Sequence, residues 1–180
     1  MKMNWTQKLN RFFLAVGLAL GAAAVMLAVL SAPVQAQSGG PDTGKRTAAL
    51  EQGLVRLNDW QTKQEINLRH AGTAGDKVQA LIDKAGSAGK DVAELETALA
   101  DYRAGLASAQ AAHDNAAALL TAHAGFDADG KVTDAQAAKQ TLESARSSLQ
   151  DAHVTLNKAA ADLHAAVRAW RAANTAAQAQ

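Results

Sequence analysis

From Ala138 to Trp170 apolar residues recur at every third or fourth position without a break. Leu142, Leu149, Leu156, Leu163 and Trp170 form one row, and Ala138, Ala145, Ala152, Ala159 and Ala166 form the other. Rows in the a and d positions of a heptad predict a helix buried along one seam. This is the strongest signal in the chain, and two earlier segments repeat it. In the first, over 47–85, Leu50, Leu54, Leu57, Leu68, Ala71, Val78 and Ile82 share one face. Gln61 and Gln64 interrupt the seam, and Gly72 and Gly75 stand inside the segment at a cost of about 1 kcal/mol each relative to alanine. The register set at Leu50 still holds at Val78 and Ile82, so one long helix is expected, with room for a kink near Gly72.

The second segment, over 92–124, carries the seam Leu95, Leu99, Tyr102, Leu106, Ala109, His113, Ala116, Leu120, His123. Asp91 and Glu94 suggest its acidic N-cap and capping partner. The third segment runs over 134–173, with Thr133 as N-cap and Gln136 as the capping-box partner. Gly86-Ser87-Ala88-Gly89-Lys90 and residues 125–132 make two short joints. Short joints between long amphipathic helices give antiparallel neighbours. The expected fold is all-α: an elongated up-down-up three-helix bundle over 47–173, with coiled-coil-like heptad packing and helices of about 50 Å or more.

The ends extend the reading. Lys2, Lys8 and Arg11 precede an apolar run from Phe12 to Leu30, then Pro33 and Val34-Gln35-Ala36. A positive n-region, an apolar stretch and small residues at −3 and −1 predict a signal peptide, 1–36, cleaved after Ala36. The run is also close to the roughly 20 residues that span a bilayer, so an uncleaved membrane anchor is the rival. Both place the rest of the chain outside the cytoplasm: periplasmic, at the cell surface or secreted. Residues 37–46, with Gly39, Gly40, Pro41 and Gly44, read as a flexible linker, and 174–180 as a disordered tail.

Composition supports the helical reading. Alanine is abundant, while β-branched and aromatic residues are sparse. The chain has no cysteine, which rules out disulfides and a lipid-anchored cysteine. Removing the three n-region cations from the 18 Lys and Arg leaves 15 against 17 Asp and Glu, a net charge of −2 for the exported part. Such a balance, with no concentrated basic face, argues against nucleic acid as a partner.

Candidate chemistry is thin. Gly125-Phe126-Asp127-Ala128-Asp129-Gly130-Lys131-Val132 resembles part of a calcium loop when Gly130 is set at position 6. Asp127 and Asp129 would then be the metal ligands. Position 1 is Gly125 and position 12 is Gln136, so both end carboxylates are missing. Calcium is the one candidate cofactor; the competing reading is a tight Asp-Gly turn with Phe126 and Val132 closing the bundle's end. His113 and His123 lie on the seam, His70, His153 and His164 off it, and no pair has the i, i+4 spacing of two ligands on one helix face. The Gln61/Gln64 pair reads as a polar layer fixing register. Trp170 reads as a packed end residue, with a membrane-interface anchor as the other reading. No nucleophile-elbow serine or phosphate-binding glycine loop is present, and a non-enzymatic role is expected.

The stretch from Ala112-His113-Asp114 through Leu119-Leu120, followed by His123 to Asp134, resembles a segment of uncharacterised exported helical proteins of bacteria. Gly89-Lys90-Asp91 leading into Leu95-Glu96 is similar to the same group. The resemblance covers 47–171 and implies an all-helical exported domain without a known activity. Val132-Thr133-Asp134-Ala135-Gln136 resembles the LTxxQ motif of Spy/CpxP-type periplasmic stress proteins, with valine in place of leucine. The expected function is accordingly a protein-interaction, structural or chaperone-like role, through a protein partner or self-association. A weak calcium-binding or metal-responsive role built on residues 125–132 is the alternative.

Overall fold

A computed structural model describes residues 43–176. The signal segment 1–36, the linker residues up to 42 and the last four residues of the expected tail lie outside the described residues. Three helices follow one another: α1, Thr43–Ser87; α2, Ala93–Ala122; and α3, Ala135–Ala176. They pack as an antiparallel all-α three-helix bundle in up-down-up order. Cross-helix pairs keep one register along it. Gln61 meets His113 and Ala71 meets Tyr102 between α1 and α2. Asn115 donates to Ser148 between α2 and α3, and Gln64 reaches the Leu149 carbonyl between α1 and α3.

α1 begins at Thr43, inside the stretch expected as linker, and continues unbroken through Gly72 and Gly75. The two glycines differ. A Cβ on Gly72 would meet nothing within 4 Å. A Cβ on Gly75, which sits on the seam, would stand 3.3 Å from Cε1 of Tyr102. The glycine gives up helix propensity so that the Tyr102 ring can lie against α1 and its hydroxyl can donate to the Ala71 carbonyl at 2.8 Å.

α1 stops at a glycine of the first joint, as its sequence suits, while the N-caps of α2 and α3 differ from those expected. α1 closes in a Schellman motif: Lys90 N–H donates to Ala85 O, Gly89 N–H donates to Gly86 O, and Gly89 takes a left-handed φ of +72°. Val92, not Asp91, is the N-cap of α2. Asp91 sits one residue earlier and accepts from Ala93 N–H at 3.1 Å, forming an Asx turn. Asp134, not Thr133, caps α3; its Oδ1 accepts from Gln136 N–H at 2.9 Å and Ala137 N–H at 3.1 Å. The carboxylate therefore satisfies two of the donors that the first turn leaves free, and it favours the positive end of the helix dipole.

The α2 seam holds its heptad from Leu95 to Leu120, with Leu106 only half-buried. In α3 the buried row is Ala138, Thr141, Ala145, Leu149, Ala152, Leu156, Ala160, Leu163, Val167, Trp170. From Ala138 to Val167 its spacing runs three, four, four, closing every 11 residues, which is closer to the natural helical repeat than seven; the last step, to Trp170, is three. A straight helix drifts about 20° per heptad, so the seam moves off the expected rows. Leu142, Ala159 and Ala166 end up half-buried, and Thr141, Ala160 and Val167 replace them in the core.

α2 and α3 lie close together. A Cβ on Gly105 would fall 2.7 Å from Cβ of Ala159, and Ala109, Ala116, Ala145 and Ala152 are wholly buried. Small residues at the seam draw helix axes toward the lower end of the usual 8–10 Å separation. At one end of the bundle Leu54, Leu120, Phe126, Ala138 and Ala145 form a core cluster. At the other, Trp170 is buried and donates from Nε1 to the Asp91 carbonyl at 2.7 Å. Trp170 is thus a packed end residue that pins the first joint.

Candidate functional site

Two places gather polar side chains: a layer in the middle of the bundle and the joint between α2 and α3. The layer arises because α1 places glutamines at two successive seam positions. His113 and Gln64 are each only 3% exposed. The Gln64 amide nitrogen donates to the Leu149 carbonyl at 2.9 Å, while its own oxygen is buried with no donor in reach. Nε2 of His113 lies 3.3 Å from the Gln61 amide nitrogen and 3.2 Å from the Gln61 backbone carbonyl. A bare Nε2 therefore meets a donor, and a protonated one meets an acceptor. Nδ1 faces the exposed Asp114 carboxylate at 3.4 Å. The Gln61–His113 pair is specific to this register, since a heptad slip would set Gln61 against Leu106 or Leu120, whereas Gln64 uses a backbone carbonyl.

The α2–α3 joint is a hairpin-like turn. His123 ends α2 in the left-handed region, and Gly125 (φ +88°) has no room for a side chain, because a Cβ there would meet backbone of Asp134 and Ala138. Phe126 and Val132 face each other as an antiparallel bridge, and Phe126 is buried in the end cluster. Asp127 turns its carboxylate inward: Oδ1 accepts from Asp129 N–H at 2.9 Å and Lys131 N–H at 2.8 Å. Thr141 reaches back from α3 and donates to the Ala124 carbonyl at 2.9 Å.

The turn is also clasped to α1. Glu51 accepts from Lys131 Nζ at 3.0 Å and from Val132 N–H at 3.3 Å. The hydrogen bond from Lys131, ahead of burial, holds the Glu51 carboxyl below its ordinary 4.5, and the same bond raises Lys131 above its ordinary 10.5. Asp127 and Asp129 add smaller upward pulls on Lys131. The ammonium is thus paired with Glu51 at the edge of the turn. Asp127 and Asp129 are brought together by the turn, but one oxygen of Asp127 is already taken by backbone donors. Among the described residues no group of three or more His, Cys, Asp or Glu is placed to hold a metal ion.

The other histidines stay apart from the layer. His153 pairs with Asn157 at 2.9 Å on its own helix, and Nδ1 of His123 sits 2.7 Å from the Thr121 carbonyl. His164 is half-buried, and desolvation, then the charge of Arg168, hold it below its ordinary 6.5. Burial pushes the Tyr102 hydroxyl above 10.0. Two functional neighbours escape a reading of sequence: Glu51, one acid among many on α1, and Tyr102, whose partner is a glycine 27 positions earlier. The glycine on a seam position is the one signal that points to the second.

On the outer faces, Val55, Ile66 and Val154 are exposed large apolar side chains. Val55 and Ile66 are 11 residues apart on α1 and so lie along one stripe of it. No described helix is long and apolar enough to cross a membrane. Comparison with known proteins finds no matching family model, no matching curated protein and no matching solved structure.

Proposed function

We propose that this chain is a non-enzymatic, exported helical-bundle protein that acts by binding another protein, a client or a second copy of itself. The role is structural or chaperone-like, in the cell envelope or outside the cell. The observation that carries this reading is the use made of its polar side chains. His113, Gln61, Gln64, Tyr102 and Trp170 each bond to a neighbouring helix or joint. Asp91, Asp127 and Asp134 each bond to the backbone of their own turn. The groups capable of chemistry serve the architecture. What the molecule offers outward is long helical faces, including the stripe through Val55 and Ile66. Export rests on the cationic start, the apolar run and Val34-Gln35-Ala36.

The test is cross-linking of the tagged chain in intact cells, with the Val55→Asp/Ile66→Asp double variant alongside. The expected result is a specific cross-linked protein that the double variant loses while keeping its helical circular dichroism. A cross-linking pattern identical to that of an unrelated exported bundle would reject the proposal.

A further inference from the structure

We propose that α1 exchanges between two copies of this chain: it leaves the α2–α3 hairpin as a unit, the joint over 88–92 straightens, and each α1 docks on the hairpin of the other copy. The proposal deepens the interaction reading above and rests on it for its biological use.

Three observations lead here. The first is the contrast between the two joints. The α2–α3 joint is held by a buried Phe126, a backbone bridge, a Gly125 with no space around it and the Thr141 bond to Ala124. The α1–α2 joint has five residues, and Gly89 is its single residue at positive φ among the described residues. Besides the Schellman bonds, the Asp91 turn, the Trp170 bond to the Asp91 carbonyl and the Lys90 ammonium 5.8 Å from the Trp170 ring centroid hold it. Ala88, Lys90 and Asp91 place no proline in the way of a continuous helix.

The second observation is where α1 is weakly seated. Between Leu54 and Leu68 the one buried side chain on α1 is Gln64, and its oxygen has no donor. Across from it α2 and α3 close directly on each other at Gly105 and Ala159 and through the bond from Asn115 to Ser148. Opening the bundle along α1 thus uncovers less apolar surface in its middle than splitting α2 from α3, and it hydrates an amide oxygen that was unpaired.

The third observation identifies the occupant. The face that α1 vacates carries the Tyr102 ring shaped to Gly75, the Leu149 carbonyl aimed at Gln64 and Lys131 aimed at Glu51. A second α1 matches all three by identity. Every contact between α1 and the hairpin re-forms in the exchanged dimer, so the balance between closed and exchanged forms depends on concentration and on the joint.

The hinge therefore gives the test. Gly89→Ala places a Cβ where nothing lies within 4 Å, so the closed fold is sterically tolerated. It strains the left-handed turn of the closed joint, and that strain vanishes when the joint becomes helical. Two pools of the full chain, one labelled with a donor at Asn67→Cys on α1 and one with an acceptor at Ser147→Cys on α3, are mixed in mild detergent; the absence of native cysteine makes the labels specific. With the acceptor pool in large excess, so that nearly every dimerised donor chain faces an acceptor chain, the dimer is expected to show the transfer efficiency of a doubly labelled single chain. Gly89→Ala should raise the dimerisation constant about tenfold or more, while Gln64→Leu, which alters the seam equally in both forms, should leave it within about threefold. The proposal is overturned if Gly89→Ala stays monomeric, if transfer falls well below the single-chain value, or if the hinge and seam variants act alike. Because the measurement uses purified chain alone, its failure leaves the cellular cross-linking result standing, and the reverse also holds.

Discussion

Tyr102 lies over Gly75, its Cε1 3.3 Å from where a Cβ would be, and its hydroxyl closes on the Ala71 carbonyl one turn earlier. Gly72 and Gly75 should therefore respond differently to the same change. Gly72→Ala adds a methyl in open space and should stabilise the fold by about 0.5–1 kcal/mol through helix propensity. Gly75→Ala gains the same propensity but crowds the ring, and Gly75→Val should cost roughly 1–3 kcal/mol by overpacking. Thermal melts of the three variants decide it: equal gains at positions 72 and 75 would mean that Tyr102 does not need the gap.

The row of buried residues on α3 gives a second test. Leu149 is wholly buried, and Leu149→Ala should cost about 2–5 kcal/mol by transfer and cavity terms. Leu142 stands in the same heptad row but is half-buried, so Leu142→Ala should cost clearly less. Denaturant unfolding of both measures the difference. Similar losses would restore a strict seven-residue seam and remove the 11-residue drift.

Much of this fold was legible in sequence because seam periodicity is a one-dimensional record of burial. Leu95, Leu99, Leu120, Leu149 and Leu163 are all core. The shift from Ala159 to Ala160 was not legible, because alanine occupies 159, 160 and 161 alike and the sequence does not say which of them faces the core. At Thr133-Asp134 two capping residues adjoin, and only the fold shows that Asp134 takes the cap of α3. At the α2–α3 joint, the turn around Asp127 could be read from Asp-Ala-Asp-Gly. Its clasp to Glu51 could not, since 80 residues separate that acid from Lys131 and nothing local marks it.

His164 gives the fold a dependence on pH. Desolvation and the Arg168 charge keep it below 6.5 in the folded chain, so the unfolded chain takes up the proton first as pH falls. Well above 6.5 the group is neutral in both states and contributes no pH dependence. As pH drops through 6.5 toward the folded value, stability is lost, and below the folded value the loss levels off. His164→Gln should flatten this part of a plot of Tm against pH between about 7.5 and 5. An unchanged slope in the variant would assign the dependence to other groups.

The Asp127 turn and the Glu51 clasp make opposite predictions from a calcium site. Asp127 supplies an oxygen to two backbone N–H groups with no metal involved, so Asp127→Ala should cost about 1–2 kcal/mol in chelator, the order of a lost cap. Asp129→Ala, whose backbone N–H donates in the turn, should cost much less. The Glu51 carboxyl is held below 4.5 by Lys131, so the stabilisation it gives is present above 4.5 and is lost as pH falls through its folded value. Glu51→Gln should remove that acid-side loss. With Lys131 paired to Glu51 and one Asp127 oxygen taken by two backbone donors, millimolar calcium should leave Tm unchanged in the parent chain. A calcium-dependent rise in Tm that Asp129→Ala abolishes would instead establish the turn as a metal site.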